Sequence, residues 1–195
     1  SEKLSAEVSY LKAQINPHFL FNTLNSLYAL TLQKSNDAPQ AVLKLSGIMR
    51  YVTNESSKDF VSLDKEINYI KDYVDLQKLR LNEETTSLNF TITGNPENKQ
   101  IAPLILIPFI ENAFKYGVST EEESKITISI SIEETSLTLW ATNTIVAIEN
   151  IVGENTQKGL ENTKKRLNFM YDNKHKLHVT DNKNQYSVEL KLFLE

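Results

Sequence analysis

The 195-residue sequence contains no cysteine, which excludes disulfides and thiolate metal sites and suits a reducing compartment. It has no excess of positive charge. Its 21 Lys and Arg stand against 25 Asp and Glu, for a net charge of −4. A general nucleic-acid binder carries a basic patch, so direct nucleic-acid binding is not expected. Long hydrophobic runs are missing too. The longest, Leu104 to Ile110, is interrupted by Pro108 and falls far short of the ~20 residues a membrane-spanning helix needs. No signal peptide is visible. Glycine and proline are scarce, with five of each, and the first 82 residues hold only Gly47, Pro17 and Pro39. So few breakers leave that stretch free to be helical. What is present is 40% apolar residues, enough for a core in one or two small domains. The chain opens on Ser-Glu-Lys-Leu, inside a helical pattern, as if cut from a longer protein.

Periodicity divides the sequence at about residue 82. Leu4, Val8, Leu11 and Ile15 follow the 4-3-4 spacing of a coiled-coil seam. Ala38, Val42, Leu45, Met49 and Val52 mark a second helix, with Pro39 near its start. Ser62 is the expected N-cap of a third, which carries Leu63, Ile67, Ile70 and Val74. Acidic Asp64 and Glu66 suit its positive end. Beyond residue 85, Leu88, Phe90 and Ile92 alternate with polar residues, as strands do, up to Gly94-Asn95-Pro96. Residues 103–117 return to helix. Ile126 to Ile132 and Leu137 to Ala141 read as adjacent strands, and residues 144–157 as a loop. Leu160, Thr163, Leu167 and Met170 mark another helix, and two strands around 177–179 and 186–192 close the chain. Helices first, then a sheet with helices on one face, is an α+β arrangement.

One of only three histidines, His18, sits in Asn16-Pro17-His18-Phe19-Leu20-Phe21-Asn22. On a helical wheel the stripe Leu4, Val8, Leu11, Ile15 runs on into His18, Asn22 and Asn25. After Pro17 the apolar stripe is Leu20, Phe21, Leu24, Leu27 and Tyr28, on the opposite side. The buried face is expected to swap at the proline, where a kink should form. That leaves His18, Asn22 and Asn25 on an open face. Asn22, one turn after His18, reads either as a bundle-lining asparagine or as a residue that holds a water against a phosphoaspartate. His175 and His178 lack the company of a metal site and are expected at a strand edge.

A second group lies in Ile110-Glu111-Asn112-Ala113-Phe114-Lys115-Tyr116-Gly117. Asn112 and Lys115 are three apart and share a helix face, with Glu111 beside them. Carboxamide and carboxylate oxygens are hard ligands suited to Mg²⁺, and an ammonium can meet phosphate oxygens.

The segments QINPHFLFNTLN (14–25) and PLILIPFIENAFKYG (103–117) resemble the H box and N box of the LytS-like family of sensor histidine kinases. KGLENTKKRL (158–167) resembles that family's last nucleotide-binding box, usually close to G-x-G-L-x-N-x-x-x-R-L. The matches come in the family's order and span nearly the whole chain. The resemblance implies a helical dimerisation and histidine-phosphotransfer region, residues 1–82, followed by a GHKL-type α/β sandwich that binds ATP, residues 83–195. It implies an ATP-dependent protein histidine kinase of a two-component system, with ATP and Mg²⁺ as cofactors. The implied partners are a second copy in a homodimer and a response-regulator receiver domain, in this family often of LytTR type. Upstream transmembrane sensor segments are implied as well, which makes this the cytoplasmic portion of an inner-membrane sensor.

Carried over residue by residue, His18 is the implied phosphoacceptor and Asn112 the Mg²⁺ ligand beside Glu111, with Lys115 near phosphate. Gly159, Leu160, Asn162 and Arg166 are implied in a phosphate-facing helix start and lid, where free N–H groups favour phosphate. The sequence departs from the family in three places. Asn143 stands where an aspartate usually reads the adenine amino group, and Thr144-Ile145-Val146-Ala147 after it lacks glycine. Gln157 replaces the first glycine of the last box. Tyr116 replaces a common histidine. The expectation is a site that binds ATP weakly, short by about 1–2 kcal/mol. Two other readings compete with the kinase. One is a degenerate pseudokinase acting as a dimeric signalling scaffold, supported by the altered glycine boxes. The other is a GHKL ATPase of chaperone or repair type, which does not explain the segment around His18.

Overall fold

The computed structural model describes residues 16–146 and 154–194, with side chains in the last helix described from residue 159 onward. The seam Leu4, Val8, Leu11, Ile15, together with Ala147, Gly153 and the side chain of Gln157, lies outside the described residues. Five helices and seven strands follow in order: α1 (Pro17–Leu32), α2 (Ala38–Glu55), β1 (Val61–Ser62), α3 (Leu63–Lys78), β2 (Thr86–Thr93), β3 (Gln100–Ile101), α4 (Ile107–Gly117), β4 (Ser124–Ile132), β5 (Ser136–Thr144), α5 (Glu154–Met170), β6 (His175–Asp181) and β7 (Gln185–Phe193).

Five strands form one sheet in the order β2-β4-β5-β7-β6. The β2–β4 pair is parallel and the other three pairs are antiparallel. Register sets apolar rows across the sheet, such as Ile130 opposite Leu139 and Leu139 opposite Leu190. Ile126, Ile128, Ile130, Leu137, Leu139 and Leu190 are all fully buried. At roughly 1.5–3 kcal/mol for each large aliphatic side chain buried, this row dominates the stability of the sheet domain. Together with the helices packed against it, the sheet makes the expected α+β fold. His175 and His178 lie on β6, an edge strand, as the sequence suggests.

The helices depart from the expected pattern in instructive ways. Asn16 has an extended backbone (φ −62°, ψ 109°), and its side chain accepts the N–H groups of His18 and Phe19. Pro17 therefore opens α1 at a position where its missing N–H costs nothing, instead of kinking a continuous helix. The buried positions of α1 are Phe19, Thr23 and Leu27, whereas Phe21, Leu24 and Tyr28 of the expected apolar stripe are exposed, as is Leu32. In α2, Ala41, Leu45, Ile48 and Val52 are buried, while Val42 and Met49 face out. On both helices the expected stripe is only partly covered by the rest of this chain.

Helix α3 buries Leu63, Ile67, Ile70 and Val74 as expected, but it also buries Glu66 completely. Ser62 is its N-cap residue by position, without a side-chain capping bond. Just before it, β1 pairs with β3, with Val61 opposite Ile101. This two-residue pairing, too short to show in periodicity, ties the entry of α3 to the chain beyond residue 82. Helix α4 starts at Ile107, not at 103, because Leu104 adopts a left-handed backbone (φ 57°). Helix α5 starts at Glu154, several residues before the expected position.

Candidate functional site

Helices α1, α3, α4 and α5 converge on a cleft of about 660 Å³, lined among others by His18, Arg80, Glu111, Asn112, Lys115 and Gly159. Two segments ninety residues apart in sequence thus share one wall-to-wall space. The cause is aromatic. Phe19, directly after His18, is buried, and its ring packs against Tyr73 of α3 with centroids 4.7 Å apart. Tyr73 in turn meets Phe114 of α4 edge-on at 6.1 Å. Such pairs add about 0.5–1.5 kcal/mol beyond area burial. They fix the start of α1 against the helix that bears Asn112.

His18 itself is exposed. The Nδ2 of Asn22 lies 3.0 Å from its Nδ1 and 3.3 Å from its Nε2. The sequence expectation of an open face carrying both residues agrees with this geometry. On α4, Glu111 and Asn112 are half-buried and Lys115 is exposed. Burial pushes the Glu111 carboxyl up to about 7. The Lys115 ammonium sits 5.2 Å from the centre of the Tyr116 ring, and the Tyr116 carbonyl accepts the N–H of Val146.

Below the end of α4, Gly117 lets the helix meet the sheet. A Cβ there would lie 2.7 Å from Ile126 Cγ1 and 2.8 Å from Asn143 Cβ. Asn143 is buried in the sheet between Ile126 and Tyr186. Its Nδ2 donates to the Thr144 carbonyl at 3.0 Å, and its Oδ1 has no partner among the described residues. An orphaned buried acceptor is costly, and an exocyclic amine is the kind of donor that satisfies it. That chemistry fits an adenine.

The last box is arranged differently from expectation. Gly159 and Leu160 line the cleft, but from within α5 and not at its start. A Cβ at Gly159 would meet nothing within 4 Å, so this glycine keeps space open. Asn162 and Arg166 face a second cavity of about 700 Å³, which shares Pro108, Glu111 and Thr163 with the first. Arg166 turns its guanidinium to the carbonyls of Pro103 and Leu104. It thereby holds the strained Leu104 turn from which α4 starts.

The oxygen donors suit Mg²⁺. Among the described residues no three His, Cys, Asp or Glu cluster as a metal cage. Mg²⁺ does not require one, since it is held by one or two protein oxygens plus substrate phosphates. The Asn112 carboxamide and Glu111 carboxylate can supply those.

Glu66, expected only to suit the positive end of its helix, and three cleft residues that the sequence reading did not single out complete the picture. Glu66 lies fully buried and accepts hydrogen bonds from the Tyr51 hydroxyl and, at 3.1 Å, from the Leu104 N–H. Burial pushes its carboxyl up to about 7, although Tyr51, Leu104 and Arg166 all pull the other way. Tyr73, Gln77 and Arg80 stand at 4-3 spacing on α3 and its C-terminal turn and line the cleft. That spacing was visible in the sequence, but it does not distinguish a cleft face from a core face.

Residues 6–85 match the protein-family model described as histidine kinase. The chain is 36% identical over 114 residues to the sensor histidine kinase BtsS of Escherichia coli K12, covering 58% of this chain and 20% of that protein. It is 27% identical over 191 residues to the sensor protein kinase HptS of Staphylococcus aureus USA300, covering 92% of this chain and 36% of that one. The chain therefore spans only a minor part of the length of these relatives. In fold it resembles the histidine kinase domain of the Erythrobacter litoralis EL346 blue-light activated histidine kinase, with a TM-score of 0.51 at 11% identity over 98% of this chain and 95% of that one. It also resembles full-length ShkA in complex with AMPPNP, with a TM-score of 0.50 at 16% identity over 86% of this chain and 38% of that one. In sequence over residues 6–85, and in fold over nearly its whole length, the chain is similar to histidine kinases.

Proposed function

We propose that this chain is the kinase portion of a two-component sensor of LytS-like type, which phosphorylates itself on His18 from ATP. The observation that carries the reading is the shared cleft, which His18 lines together with Asn112 and Lys115 within one chain. The neutral imidazole of His18 attacks the γ-phosphorus of ATP through a ring nitrogen lone pair. The bond from that phosphorus to the bridging oxygen breaks, its electron pair leaves with ADP, and the ring gives up the proton on its other nitrogen to solvent water. Mg²⁺, when bound, neutralises phosphate charge, which with positioning is the main source of rate in phosphoryl transfer. Asn112 and Glu111 would hold the metal, and Lys115, Gly159 and Leu160 would form the phosphate side. Asn143 accepts from the adenine amine below Gly117, with Tyr116 at the end of the same helix. Asn162 and Arg166 brace the outer wall of α5.

The phosphoryl group then passes to an aspartate of a response-regulator receiver domain, of LytTR type in this reading. Residues 1–82 act as the dimerisation and phosphotransfer region and residues 83–195 as the ATP-binding region. The exposed stripe Phe21, Leu24, Tyr28 and Leu32 on α1, with Val42, Leu43 and Met49 on α2, is the surface that a second copy covers in a four-helix bundle. No helix among the described residues is long and apolar enough to cross a membrane; the membrane segments of the sensor are proposed upstream. The test is equilibrium binding of Mg²⁺-ATP followed by labelling from γ-labelled ATP. Acid-labile label on the parent, absent from His18→Ala, is the expected result. No binding and no label would leave the dimeric scaffold as the function.

A further inference from the structure

The sequence has three arginines, and the fold gives each a different task. Arg50 lies on α2 and is not among the residues lining the cleft. Arg166 is engaged with the carbonyls of Pro103 and Leu104. Arg80 lines the cleft together with His18 and Asn112. It is exposed, and among the described residues no carboxylate or carbonyl takes its guanidinium. Its backbone is anchored, with its N–H donating to the Gln77 carbonyl at 3.1 Å.

The support beneath Arg80 is rigid. Gln77 is buried and donates from Nε2 to the Tyr73 hydroxyl at 2.8 Å. Tyr73 is the ring wedged between Phe19 and Phe114. Residues 73, 77 and 80 follow one helical face, so the face that carries Arg80 is bolted to the neighbour of His18 and to the helix of Asn112. Charge demands a group there. A triphosphate brings several negative charges, and in the transfer state they spread over the three outer oxygens of the moving phosphoryl group. The fork of a guanidinium, with five donors in a plane, matches such oxygens better than an ammonium does.

Resting on the kinase reading above, we propose that Arg80 is a catalytic residue whose guanidinium binds the phosphoryl group in transit from ATP to His18. It forms and breaks no covalent bond. It supplies charge from the C-terminal turn of α3, and Lys115 from α4, so the two cations come from different parts of the chain.

The experiment compares the parent chain with Arg80→Gln and Arg80→Lys. It measures equilibrium affinity for Mg²⁺-ATP and Mg²⁺-ADP, and the initial rate of acid-labile labelling at saturating ATP. Arg80→Gln should label at least tenfold more slowly and lose most of the parent's preference for ATP over ADP, with ADP affinity little changed. Arg80→Lys should recover part of the rate. An Arg80→Gln protein with parental rate and parental ATP preference overturns the proposal. Should that variant lose its fold, Arg80→Lys decides: a reduced rate with parental melting supports the fork, and an unchanged rate overturns it. A parent that neither binds ATP nor labels overturns the kinase reading and this one together.

Discussion

Asn22 sits one turn beyond His18 with its amide nitrogen 3.0 Å from the imidazole Nδ1. Nδ1 can accept that N–H only in the tautomer that places the ring proton on Nε2. With the carboxamide turned the other way, its oxygen accepts Nδ1–H and leaves the Nε2 lone pair free. Asn22 can therefore act on whatever approaches the ring, including a water aimed at a phosphoaspartate. Asn22→Ala should lower dephosphorylation of the cognate regulator by tenfold or more while changing autophosphorylation only a few-fold. Assays in both directions check this. Equal loss of both activities, or of neither, would count against the assignment.

His18→Ala should abolish labelling without unfolding the protein. The side chain is exposed, and substitutions at such positions usually stay within about 0.5 kcal/mol. The Asn16 cap uses only the backbone N–H groups of His18 and Phe19, so it survives. A melting curve beside the labelling assay tests both halves.

Because the cleft is built by one chain, transfer within a protomer is the expected route. Mixed dimers of His18→Ala and Asn112→Ala chains should show no label, since neither protomer then holds both groups. Recovery of labelling in the mixture would establish transfer between protomers.

Glu66 makes stability depend on pH in a direction opposite to that of most carboxylates. Its folded value, about 7, lies above the ordinary value of 4.5. The folded state therefore holds a proton that the unfolded state releases, and stability falls as pH rises through this window. The size is about 3 kcal/mol, reached by pH 7–8. Glu66→Gln keeps an oxygen for Tyr51 and Leu104 and should reduce the slope between pH 5 and 7, the remainder coming from Glu111, whose carboxyl burial also pushes up to about 7. Denaturant unfolding at several pH values measures it, and an unchanged slope would place the ionisation on another group.

Asn143→Asp should weaken the free protein and tighten ATP at once. The change removes the Nδ2 donor to the Thr144 carbonyl and buries a charge, at a cost of about 1–3 kcal/mol. A carboxylate accepts the adenine amine more strongly than a carboxamide does. The thermal shift on adding ATP should grow relative to the parent, and GTP, which lacks that amine, should not produce it. Equal shifts with both nucleotides would remove Asn143 from base recognition.

The sheet was legible in the sequence because alternation over Ile126–Ile132 and Leu137–Ala141 has one physical meaning when one face is buried. The shared helix face of His18 and Asn22, and the place of Asn112 on a helix, were legible from helical spacing. Three things were not. The left-handed turn at Leu104 is stabilised by Arg166 and Glu66 from distant parts of the chain, so no local signal marks it. The β1–β3 pairing is two residues long. The choice between Phe19 and Phe21 as the buried ring of α1 depends on Tyr73, over fifty residues away.

The contact of Phe19 with Tyr73 also works as a gear tooth. An α-helix turns by about 100° for each residue, so rotating α1 by a fraction of a turn withdraws Phe19 from its socket and swings His18 out of the cleft. In the kinase reading, such a rotation would carry His18 away from Asn112 and Lys115 without deforming α4. The seating of one aromatic ring thus sets where His18 stands in the cleft.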